Sequence, residues 1–191
     1  GVLGGHSGVE INKGHANALV SLATALQFLL QQGVGFSIAD FSGGQARNAI
    51  PTFAKADILL APQDIAKAKS ALGTFARMLE SAYGSIETGY VLQYNEMCVP
   101  VEGVLAQECG IGLVNLLTLL PNNVHTMSPF VEGLVESWQN IGTVAIREKR
   151  IEVYIMERSC SAFQAMQIGA MNRALSCLCG FTFAAGEHVP A

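Results

Sequence analysis

The segment Gly4-Gly5-His6-Ser7-Gly8 sets an imidazole between glycine pairs, where the backbone can take conformations closed to other residues and a ligand can come close. A histidine so placed is either a working residue delivered to a site or a strand-end turn residue that caps the helix behind it. Two other stretches combine polar chemistry with unusual backbone. Gly43-Gly44-Gln45-Ala46-Arg47-Asn48-Ala49-Ile50-Pro51 joins a glycine pair to Arg47, Asn48 and a restricted Ile50-Pro51 step, a composition that an ordinary turn between strands would also show. Glu157-Arg158-Ser159 closes a stretch in which Ile151, Val153 and Ile155 alternate to one face, leaving Glu152, Tyr154, Met156 and Arg158 on the other. Arg158 there is a carboxylate clamp or a surface charge paired with Glu157 or Glu152.

Other kinds of chemistry find no support. The chain has no H-x-D, no H-E-x-x-H and no paired C-x-x-C, so it offers no metal-ligand spacing of its own. Cys177-Leu178-Cys179 falls in a helical stretch, where a one-residue spacer points the thiols apart, and both are expected to be buried. Ser7 beside His6 is not the geometry of a nucleophile and its base, and no G-x-S-x-G elbow occurs. His15, His125 and His188 stand alone among unlike surroundings and receive no role.

Composition narrows the partners. Hydrophobic residues make up 50% of the 191 and charged residues only 14%, which excludes disorder and points to surface covered by a neighbouring domain or a second copy. With a net charge of -4 and no cluster of Lys or Arg, the chain lacks the electrostatic footprint of a nucleic-acid binder. The longest apolar tracts are interrupted by Ser, Thr, Gln, Glu and Asn and do not read as membrane spans. The start reads as an internal cut and not as a signal peptide. Cys98, Cys109, Cys160, Cys177 and Cys179 form an odd set that fits reduced thiols in a cytoplasmic protein.

Periodicity supplies the elements that must position these residues. A helix is expected from Asn12 as its cap to about Gln32, stopped by Gly33, followed by strands over residues 36–41 and 52–60 paired as a hairpin or as neighbours. A second helix runs over residues 62–83, a third over 103–120 and a fourth over 162–179 behind Ser161 as cap; strands are expected at 90–97, 135–146, 151–159 and 181–185. Four amphipathic helices that must bury their stripes on strands joined by short turns predict an α+β two-layer sandwich with a mainly antiparallel sheet. The alternation of helices and strands in both parts suggests a duplication with sub-repeats 1–97 and 101–191.

GGHSGVEI, FSGGQARNAIP and IEVYIMERS, in that order, make the whole chain resemble the lid domain of the aminoacyl-histidine dipeptidases, the PepD or carnosinase-like branch of the M20 metallopeptidases. The resemblance implies a ferredoxin-like lid and dimerisation domain spanning residues 1–191, whose flanking two-zinc catalytic domain is not in this sequence. It implies that His6 reaches the scissile carbonyl, often across a dimer interface, and helps hold the tetrahedral oxyanion. Asn48 would help bind the dipeptide substrate and Arg158 would grip its free carboxylate, for which a planar guanidinium is suited. The zinc ions would belong to the full-length enzyme, a homodimer, and none to this chain, which would be inactive alone. Competing readings are a non-catalytic α+β interaction or oligomerisation module, and the lid of another M20 peptidase or aminoacylase.

Overall fold

The computed structural model describes residues 2–98, 100–148 and 150–186. Its centre is a curled antiparallel sheet. Strand β2 (Phe36–Gly43) pairs with β4 (Ala54–Leu60), and the long β6 (Val135–Arg147) pairs with β7 (Arg150–Ser159) along most of its length. At its far end β6 meets β2 through Gly43 and Val144, and near its start it pairs with β5 (Asn123–Met127). Since β7 spans both places, β2 and β5 share the opposite edge of β6. A separate two-stranded ribbon joins β1 (Gly5–His6) to β3 (Ala49–Ile50).

The helices are α1 (Ser7–Glu10), α2 (Ala18–Gln31), α3 (Ile65–Tyr83), α4 (Gln107–Leu119) and α5 (Ala162–Leu178). Helices α2, α3 and α4 bury residues in a main core shared with the sheet, and α5 packs Leu175 against it. Leu19, Leu26 and Leu29 of α2 and Leu113 and Leu117 of α4 meet Phe41 of β2 and Ile141 of β6 there, so residues from both parts of the chain build one interior. Burial of this kind, at about 25 cal/mol per Å² of apolar surface, is the main source of the fold's stability. The expected two-layer α+β sandwich and its antiparallel pairing are what the structure has.

Four expectations need correction. The first long helix starts at Ala18, capped by Asn17, whose side-chain oxygen accepts the Leu19 and Val20 N–H groups. Asn12 lies instead in a 3-10 turn that Gly14 closes in the left-handed region at φ 75°, so helix cannot run through it. Residues 90–97 form no strand, because Tyr90 and Leu92 pack on the cluster of Ala25, Phe75 and Leu79 between α2 and α3. Residues 181–185 are irregular: the Phe181 N–H closes the end of α5 on the Ser176 carbonyl, and the ring packs on the main core. Finally, Cys177 is exposed and Cys179 half-buried, since the last turn of α5 lies at the surface. The short strands β1, β3 and β5 were not foreseen.

Candidate functional site

Backbone pairing brings the first two candidate segments together. In the β1–β3 ribbon Gly5 faces Ile50 and His6 faces Ala49. Gly5, at φ 139°, has the Glu10 carboxylate where a Cβ would sit. Glu10 accepts the His6 N–H at 3.0 Å and the Lys13 ammonium at 3.0 Å. Chiefly the Lys13 bond, then the His6 N–H, holds the Glu10 carboxyl below its ordinary range.

His6 is an N-cap and something more. Its Nδ1 accepts the Gly8 N–H at 3.2 Å, the capping role of a turn residue. With Nδ1 occupied as an acceptor, a neutral ring carries its proton on Nε2. That nitrogen lies 3.3 Å from Asn48 Nδ2, which is also a donor, so in this tautomer the two groups lie side by side and both remain available to an outside acceptor; both residues are exposed. The capping role foreseen for the GGHSG histidine is thus met by Nδ1, and Nε2 faces away from that cap toward Asn48.

The loop ahead of Asn48 needs glycine. Gly44 has φ 79°, and a Cβ on it would overlap the Gly142 carbonyl of β6; a Cβ on Gly142 would in turn strike the Arg47 backbone. Two facing glycines therefore let the loop lie directly on the strand. Ser7, wholly buried, donates both its N–H (2.9 Å) and its hydroxyl (3.0 Å) to the Asn48 carbonyl.

Arg158 joins this region by register. Ile151, Val153 and Ile155 of β7 pack on the main core, whereas Met156 packs with Trp138, Ile11 and Ile50 in a second cluster beneath the ribbon. Strand alternation puts Arg158 on the Met156 face, and its partner on β6 is Trp138, 4% exposed. The Arg47 guanidinium lies 4.4 Å from the centroid of Tyr154, on that same face of β7. His6 and Asn48 thus meet in direct contact, and half-buried Arg158 stands on the strand face that the Asn48 loop overlies.

Sequence reasoning missed two supports. Glu87, with a fully buried side chain, accepts the N–H groups of Leu3 (2.6 Å) and Ala16 (2.9 Å) and lies 3.4 Å from His15 Nδ1, gripping the His6 segment at both ends. No local pattern announces this, because its partners are some seventy to eighty residues away. Asn140, at 0% exposure, hydrogen-bonds the loop carrying Asn48; a polar pair in the apolar run Trp138-Gln139-Asn140-Ile141 was the available signal. His125 on β5 is kept below its ordinary pKa by burial, partly opposed by Gln139, while His188 lies outside the described residues.

Among the described residues no three His, Cys, Asp or Glu side chains gather where they could hold a metal ion. No described helix is long and apolar enough to cross a membrane. The donor set therefore does not fit a metal centre within these residues.

The curled antiparallel sheet is joined by a ribbon that presents an exposed imidazole and amide, and over part of its length the chain is similar to the dimerisation domain of the M20 peptidases. Residues 1–87 match the family profile described as "Peptidase dimerisation domain". The chain is 30% identical over 159 residues to the cytosol non-specific dipeptidase of Escherichia coli K12, covering 83% of this chain and 32% of that protein. It superposes on the crystal structure of aminoacylhistidine dipeptidase from Vibrio alginolyticus with a TM-score of 0.87 at 29% identity, covering 94% of this chain and 36% of that one. The chain thus spans about a third of the length of these relatives.

Proposed function

We propose that these residues are the lid of a cytosolic zinc dipeptidase acting on Xaa-His dipeptides of the carnosine type, and that the lid also forms the homodimer interface. The observation that carries the reading is the exposed His6–Asn48 pair, presented outward on a rim held by buried hydrogen bonds. In this reading two zinc ions sit in a catalytic domain outside the 191 residues, and the lid supplies only polar groups. His6 Nε2–H donates to the oxygen that becomes an oxyanion when the scissile carbonyl turns tetrahedral. Asn48, beside the ring, contacts the substrate. Arg158 takes the free C-terminal carboxylate in a bidentate grip and so measures substrate length. Closing the lid assembles these groups around the peptide.

A preorganised donor aimed at developing charge supplies about 3–4 kcal/mol in comparable sites. In the full-length enzyme His6→Ala should therefore lower kcat about 10²- to 10³-fold, with KM little changed. The loss of its cap costs only about 1 kcal/mol of stability. An unchanged kcat at saturating dipeptide would refute the oxyanion role. The isolated segment should show no turnover and no stoichiometric zinc.

A further inference from the structure

The side chain of Asn140 is sealed from solvent on a strand whose neighbours are Trp138 and Ile141. A buried amide is costly unless its hydrogen bonds are made, so what it holds is informative. Its Nδ2 donates to the Ala49 carbonyl at 2.8 Å and reaches the Arg47 carbonyl at 3.4 Å, one on each side of Asn48. The carbonyl between them, that of Asn48, is taken by Ser7. Three successive carbonyls are thus held from beneath while the Asn48 side chain points at His6.

The orientation of the Asn140 amide is itself fixed. Its Oδ1 faces Asn17 Nδ2 at 3.4 Å, and Asn17 also donates to Asn122 Oδ1 (2.8 Å) and to the Ile141 carbonyl (2.9 Å). Asn122 Oδ1 in turn accepts the Ile141 N–H at 2.9 Å. Because Asn17 caps α2, the chain of amides runs from that helix through β6 to the loop. Asn17 Nδ2 shares its two hydrogens among these three acceptors, the contact to Asn140 being the longest, and directional bonds of this kind select a position that an apolar patch of the same size would not.

We infer that Asn140 is a positioning residue that fixes the His6–Asn48 pair through the carbonyls of Arg47 and Ala49. The geometry stands by itself; its kinetic consequence rests on the function proposed above. An aspartate would turn a carboxylate toward two carbonyl oxygens, and an alanine would leave both without their donor.

The test uses the full-length enzyme that carries this segment, labelled with ¹³C at histidine Cε1. In Asn140→Ala the His6 signal should move toward that of a free imidazole, and kcat on a Xaa-His dipeptide should fall about 10- to 100-fold, as expected for a misplaced catalytic group. Asn140→Asp, which keeps the side-chain volume and leaves no cavity, should do at least the same in its folded fraction. Gln139→Leu is the control, since that buried amide bonds Pro121 and Asn172 and not the loop. It should lower the melting temperature while leaving kcat and the His6 signal in place. A His6 signal unchanged in both Asn140 variants would overturn the inference. A signal that moves with kcat unaltered would uphold the positioning and sink the catalytic role of His6 instead.

Discussion

The main core and the small Trp138 cluster are both apolar, yet they are closed by different means. Leucines of α2 and α4 seal the first against Phe41 and Ile141 without directional bonds. The second holds only Ile11, Ile50 and Trp138 at full burial, and the segments above it are fixed by Asn140, Ser7 and Glu87. Apolar packing tolerates repacking and supplies stability, whereas buried hydrogen bonds select one position. The difference suggests that the helical layer keeps the domain folded and the amide layer keeps its rim in register.

The largest expected effect tests the first half of that contrast. Phe41→Ala removes a fully buried ring and should cost about 3–5 kcal/mol in urea unfolding, while kcat per folded molecule stays near wild type. A large loss of kcat in the surviving folded fraction would show that the core also sets the site. Next, Arg158→Ala should raise KM for free dipeptides about 10- to 100-fold, the worth of a charge-assisted pair, with little penalty on C-terminally amidated ones. Equal losses on both substrates would remove the carboxylate grip. Gly44→Ala should cost about 1–3 kcal/mol through its left-handed φ and its overlap with β6, and should lower kcat more than Phe41→Ala does.

The smallest effect is on pH dependence. His125 is held neutral by burial, so the unfolded chain binds its proton first and stability should begin to fall as pH drops below the ordinary value of 6.5. Glu10 has a lowered pKa, so its contribution is complete above the ordinary 4.5 and is lost as pH falls through the lower folded value. Unfolding midpoints measured from pH 7 to pH 3 should therefore decline in two stages, and His125→Gln should flatten the upper one.

Much of the helical layer was legible because amphipathic periods and caps are local signals. Ser161 caps α5 through the Gln164 N–H, Gly33 stops α2, and the alternation of Ile151, Val153 and Ile155 identified the core face of β7. The two-residue strands of the ribbon were not legible, since neither Gly5-His6 nor Ala49-Ile50 carries a strand pattern by itself. Asn12 has the look of a cap because it precedes an apolar run, but Asn17 stands immediately before the run that stays helical. His6 stands out by its glycine surroundings, whereas the Asn48 stretch by itself reads equally as a turn and gains a role only from the resemblance. Their supports, Glu87 and Asn140, act across the fold and only the three-dimensional structure pairs them.

The most direct measurement is a crystal structure of the full-length enzyme with a phosphinic dipeptide analogue, whose tetrahedral phosphorus mimics the hydrated carbonyl. The account predicts His6 Nε2, from the same subunit or its twofold mate, within about 3 Å of a phosphinyl oxygen, with Asn48 beside it. A closed complex in which the His6 of either subunit remains in solvent, well beyond hydrogen-bond reach of that oxygen, would contradict it.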